Sequence, residues 1–131
     1  MPETPWISPF KINPEPETDY IIQITYLPLR SYLDFPTFFK DVQKVQDQLQ
    51  KSHGLIGFKL RADILAKQGY TISVWENAES LKKFISSGAH KETMDQSRDY
   101  LGEGRKFVTA FIKGSDFPPS WEWAIKMLKE N

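Results

Sequence analysis

The chain contains no cysteine. A disulfide framework, thiol catalysis and thiolate metal sites are therefore excluded, and an intracellular location is the default expectation. Charge of one sign is missing too: Lys plus Arg and Asp plus Glu each number 17, so no global field recruits nucleic acid or anionic lipid. There are only two histidines, His53 and His90, far apart in the chain. A dedicated zinc site normally clusters three or four ligands, so none is expected. No stretch approaches the ~20 apolar residues of a membrane span, and the opening Met1-Pro2-Glu3-Thr4-Pro5 has no basic region leading into an apolar run. A Gly-x-Ser-x-Gly elbow and a phosphate-cradling glycine loop are likewise lacking. The expectation from these absences is a soluble, cytoplasmic protein with neither nucleic acid nor membrane as a partner.

What is present fits one compact unit. The 131 residues suffice to bury roughly two thirds of the unfolded surface, enough for a core without staples. Five of the nine prolines (Pro2, Pro5, Pro9, Pro14 and Pro16) fall within residues 1–19. Each fixes its backbone angle and lacks a donor, so this segment reads as an arm, pinned by Trp6 and Phe10, ahead of a single domain over 20–131.

Within that domain, Tyr20 to Leu27 is β-branched and aromatic and predicts a first strand ended by Pro28. Asp34 offers an N-cap, with Pro36 in the first turn, for a helix whose apolar positions (Phe35, Phe38, Phe39, Val42, Val45, Leu49) share one face and which should stop by Gly54. Leu55 to Ile64 alternates, with Ile56, Phe58 and Leu60 on one side and Gly57, Lys59 and Arg61 on the other, and predicts a second strand. Tyr70 to Trp75 repeats the alternation as a third. Asn77 should cap a second helix that breaks near Gly88 and resumes from His90 toward Tyr100. Gly102 and Gly104 deliver a fourth strand, Lys106 to Lys113, and Pro118-Pro119-Ser120 starts a terminal helix, Trp121 to Lys129, anchored by its tryptophans.

Strand, helix, strand, strand, helix, strand is the α+β ferredoxin-like plan, βαββαβ with an antiparallel sheet, here with an extra C-terminal helix. Two helices on one side of the sheet should meet the aliphatic set Ile22, Ile24, Ile56, Phe58, Ile72 and Val74. The opposite face would then be open, carrying Gln23, Thr25, Lys59, Arg61, Thr71, Ser73 and Trp75, and would meet a second subunit or line a cavity.

Ser73-Val74-Trp75-Glu76, Leu81, Phe84, Ser87-Gly88-Ala89-His90, and then Gly114 with Pro118-Pro119 before an amphipathic helix together resemble the small dimeric α/β-barrel proteins. These include antibiotic-biosynthesis monooxygenases, heme-degrading monooxygenases and many uncharacterised domains. The likeness runs from about Tyr20 to Leu128 and implies a homodimer paired sheet to sheet, with a ligand cavity between helices and sheet. It also implies a monooxygenase-like protein binding a small, flat, apolar molecule, cofactor-independent or heme-associated; the cofactor itself stays unknown, with none required. Cofactor-independent members need only bind, desolvate and deprotonate a substrate that reacts with oxygen itself. Heme-degrading members use an asparagine on the first strand and a tryptophan and histidine on the second helix. Counted from Trp75, those helix positions fall at Phe84 and Met94, and the strand offers Gln23, which departs from that route. A non-catalytic ligand-binding or stress-response module on the same scaffold is the alternative.

The candidate site residues follow. His90, with an imidazole that titrates near neutrality, is the candidate base or axial ligand, against an inert helix-start role. Trp75 offers a stacking plane or a core closure. Lys59 and Arg61 offer cations for a carboxylate or propionate, or a solvated face. Gln23, Thr25, Ser73, Phe84 and Met94 complete the expected lining. His53, at a helix end, reads as a cap. Gly54 to Leu60 faintly resembles an RNA-recognition signature, but that motif exposes aromatics and these positions are mainly aliphatic.

Overall fold

A computed structural model describes residues 3–88, 101–102 and 104–131. Its order is β1 (Asp19–Pro28), α1 (Phe35–Leu49), β2 (Leu55–Asp63), β3 (Gln68–Trp75), α2 (Ala78–Ile85), β4 (Lys106–Lys113) and α3 (Trp121–Glu130). The strands form one antiparallel sheet in the order β2-β3-β1-β4. This is the expected ferredoxin-like α+β arrangement. The expected helical resumption from His90, and Met94 with it, lie outside the described residues.

Local chemistry sets the boundaries. Asn77 Oδ1 accepts from the Ser80 amide at 2.8 Å and starts α2, and Ser120 Oγ accepts from Trp123 at 3.1 Å and starts α3. Asp34 holds the N-cap position of α1 without capping it through its side chain, and Pro36 occupies the first turn. Gly88, past the end of α2, has φ +62, a left-handed conformation glycine adopts without a Cβ penalty.

The sheet covers are the reverse of the expectation. Ile22, Ile24, Ile72 and Val74 are wholly buried, yet they pack with Trp121, Ala124 and Leu128 of α3. α1 and α2 instead cover the half-polar face of Gln23, Thr25, Thr71, Ser73 and Trp75. Alternation fixes which residues share a face but not which helix arrives on it, and the amphipathic α3 supplies the apolar stripe that the aliphatic face needs. Both sheet faces therefore carry helices, while along β4 the half-polar face stays exposed at Phe107 and Phe111, which pair with Thr25 and Ile21.

A bulge makes the second correction. β2 pairs Leu55 with Trp75 but Gly57 with Val74, so one extra residue enters the strand. Beyond it the alternation flips: Ile56 joins the α3 side, while Phe58 and Leu60 face α1 and α2 opposite Ser73 and Thr71. Lys59 and Arg61, opposite Ile72 and Tyr70, are carried to the α3 side, away from Gln23 and Ser73.

The arm belongs to the fold. Ile7 exchanges backbone hydrogen bonds with Phe58, both at 2.9 Å, and the Thr4 amide donates to Leu60 O at 2.8 Å, so the arm screens the free edge of β2. Trp6 lies against Gly57 and meets Phe117 edge-on at 5.7 Å. Phe10 stacks on His53 at 5.5 Å, which gives that histidine a packing partner beside its place after α1.

Candidate functional site

Between α1, α2 and the sheet lies a cavity of about 80 Å³. Phe38, Val42, Val45 and Leu49 of α1, Leu60 of β2 and Phe84 of α2 make its apolar walls. Its polar atoms come from Gln23 and Thr25 on β1, Thr71 and Ser73 on β3, and Asp41 and Gln46 on α1.

Each wall is held from behind. Trp75, fully buried, donates from Nε1 to Ser73 Oγ at 2.9 Å and packs on Phe84 with ring centroids 5.1 Å apart. It is thus a support beneath the cavity and not a stacking plane within it. Gln48 Nε2 on α1 donates to the Phe84 and Ser87 carbonyls at 3.2 and 2.9 Å, tying the two covering helices together.

The sequence-derived candidates divide accordingly. Gln23, Thr25, Ser73 and Phe84 come together on the cavity, with Trp75 behind them. Lys59 and Arg61 do not join them. Lys59 Nζ sits 5.3 Å from the Trp121 ring centre, and Arg61 Nε lies 4.0 Å from Glu3. Burial pushes the Lys59 ammonium below the ordinary lysine range, partly countered by Glu3. Tyr70, on the same side, is raised by burial and by Tyr26 and Asp63, against the lowering effect of Arg61. His90 and Met94 fall outside the described residues.

Two features carry chemistry. Gln23 is 8% exposed, and its Oε1 is buried with no hydrogen-bond partner among the described residues. Asp41, 6% exposed, lines the cavity from α1. Sequence reading passed over Asp41, although a signal existed. It stands on the apolar stripe of α1, three residues after Phe38 and four before Val45, where a charge is out of pattern.

Heme does not fit the described walls. They contain no histidine, lysine or arginine, hence neither an axial nitrogen nor a cation for a propionate. The RNA-binding likeness also fails here, because Phe58 is wholly buried and presents no ring to a base.

Solved structures share this fold. One is a provisionally named antibiotic biosynthesis monooxygenase from Nitrosomonas europaea, 14% identical with TM-score 0.65, covering 77% of this chain and 94% of that one. A provisionally named monooxygenase from Lactobacillus acidophilus is 14% identical with TM-score 0.64 over 78% of this chain; the match spans only 47% of that protein. A third, a provisionally named antibiotic biosynthesis monooxygenase from Bacteroides thetaiotaomicron, is 8% identical with TM-score 0.60, covering 70% of this chain and 87% of that one. No protein-family model and no curated protein matches the sequence. The chain thus has the ferredoxin-like fold of the monooxygenase-like α/β proteins, at identities that speak for architecture alone.

Proposed function

We propose that this protein binds a small, flat, mainly apolar molecule in the cavity between α1, α2 and the sheet, and acts on it as a cofactor-independent monooxygenase. The observation that carries the reading is the cavity itself: an apolar slot with a short row of polar atoms, and a buried carboxylate at Asp41. The shared fold supports it.

The chemistry asks little of the protein. A substrate CH2 group flanked by activating carbons gives up a proton to a base, and the resulting carbanion passes electrons to dioxygen. One oxygen atom ends in the new C=O and the other leaves as water, so CH2 plus O2 becomes C=O plus H2O with no external reductant. Desolvation in an apolar slot and a positioned proton acceptor supply the protein's share. Asp41 is the acceptor the described walls provide, and His90 remains the candidate drawn from sequence. A non-catalytic binding role is the second reading, favoured by the lack of a second titratable side chain among the described lining residues.

The homodimer is expected to pair through the half-polar face, of which α1 and α2 leave the β4 margin uncovered. β4 carries Phe107 and Phe111, 40% and 71% exposed, and we take this outer strand as the contact with a second copy.

The test is oxygen uptake in the presence of small bicyclic ketones bearing an activated CH2, compared between wild type and Val45→Phe, which fills the slot. Uptake above the uncatalysed rate that disappears in Val45→Phe supports the proposal. Ligand binding without uptake favours the non-catalytic reading, and uptake unaffected by filling the slot would contradict the site.

A further inference from the structure

Building on the cavity as the ligand site, we propose that Gln23 sets its specificity: the molecule it takes is neutral and presents a hydroxyl or N–H donor to Gln23 Oε1. A carbonyl oxygen left without a donor in a buried place is costly, and such atoms are nearly always satisfied in folded proteins. Gln23 Oε1 is buried, without a partner among the described residues, and belongs to a side chain that lines the slot. Its neighbours sharpen the preference. Ser73 Oγ already accepts from Trp75 Nε1, so its hydroxyl hydrogen remains available to donate to a ligand oxygen. Asp41 also lines the slot, and no cationic side chain lines the described walls. The two cations the sequence pattern placed on this face lie behind the sheet, carried there by the β2 bulge. Among the described walls an anion would face the Gln23 carbonyl oxygen and the Asp41 side chain with no cationic side chain to offset its lost hydration. A neutral ring with a hydroxyl meets an acceptor at Gln23 and apolar contact along Phe38, Val45 and Phe84.

Three probes of similar size separate the contributions: naphthalene, 2-naphthol and 2-naphthoate, each titrated into the full chain and followed calorimetrically. The naphthol should bind at least about fivefold more tightly than naphthalene, as expected when an orphaned acceptor gains a donor, and the naphthoate more weakly than both. Gln23→Leu should abolish the naphthol advantage while naphthalene still binds. Gln23→Met provides the same comparison should the leucine variant fail to fold. Equal binding of naphthol and naphthalene by the wild type, or an advantage surviving both variants, would overturn the assignment of Gln23 while leaving the cavity as the site. Absence of binding by all three would overturn the cavity reading along with it.

Discussion

Replacing Gln23 by leucine should make the ligand-free protein more stable. The Gln23 side chain is 92% removed from solvent, and its Oε1 has lost water without gaining a donor among the described residues. Leaving a buried acceptor unsatisfied costs about 1–3 kcal/mol, whereas an apolar group of similar shape incurs no such penalty. Leucine also adds apolar area next to Val42, Val45 and Leu60. Imperfect fit of the branched side chain takes back part of the gain. A net stabilisation of about 1–2 kcal/mol is expected, equivalent to roughly 3–6 °C in Tm for a domain of this size. Denaturant titration with an unchanged slope, read beside a thermal scan, measures it. Gain of stability together with loss of naphthol selectivity would mark Gln23 as a residue kept for binding at the expense of folding. A loss of more than about 1 kcal/mol would show that Gln23 is a satisfied structural residue and refute the reasoning.

Other outcomes follow from the same contacts. Asp41→Asn should lower turnover by roughly 10²–10⁴-fold with ligand binding retained, since it removes the proton acceptor but not the shape of the slot; unchanged turnover would shift that role to His90. Gly57→Ala should destabilise the protein by about 1–3 kcal/mol and expose the arm to proteolysis, because the added Cβ would run into the Trp6 ring and fall 2.9 Å from Ile7 O; an arm no more easily cleaved would mean it is only a tail. Lys59, lowered by burial, holds its proton less well folded than unfolded, so as pH rises toward the ordinary lysine range the wild type should gain stability relative to Lys59→Met; a difference independent of pH would contradict the burial. Light scattering should give about twice the chain's 15.2 kDa, and Phe111→Lys should return the monomer; a dimer indifferent to Phe111 would contradict contact through β4.

The fold was largely legible because its signals are local. The alternation of Tyr70 to Trp75, the Asn77 and Ser120 caps and the glycine at 88 each act within a few residues, and the strands and helices among the described residues formed close to their expected bounds. The bulge after Leu55 was not legible. It is decided by pairing with β3 and by Trp6 covering Gly57, and its consequence was to move Lys59 and Arg61 to the far face. Nor could periodicity say that α3 would take the aliphatic face, because two amphipathic covers competed for two sheet faces. At the site, Gln23, Thr25, Ser73 and Phe84 were readable as one set from strand parity and helix phase. Asp41 needed the helix to be read for the residue that breaks its apolar stripe.

The most direct measurement of the cavity is an amide NMR titration of the full chain with 2-naphthol. Saturable shifts should centre on Gln23, Thr25, Asp41, Val45, Thr71 and Ser73, the residues around the slot between α1 and the sheet. Shifts centred instead on Lys59, Tyr70 and Trp121 behind the sheet, or no saturable shift at all, would contradict the site.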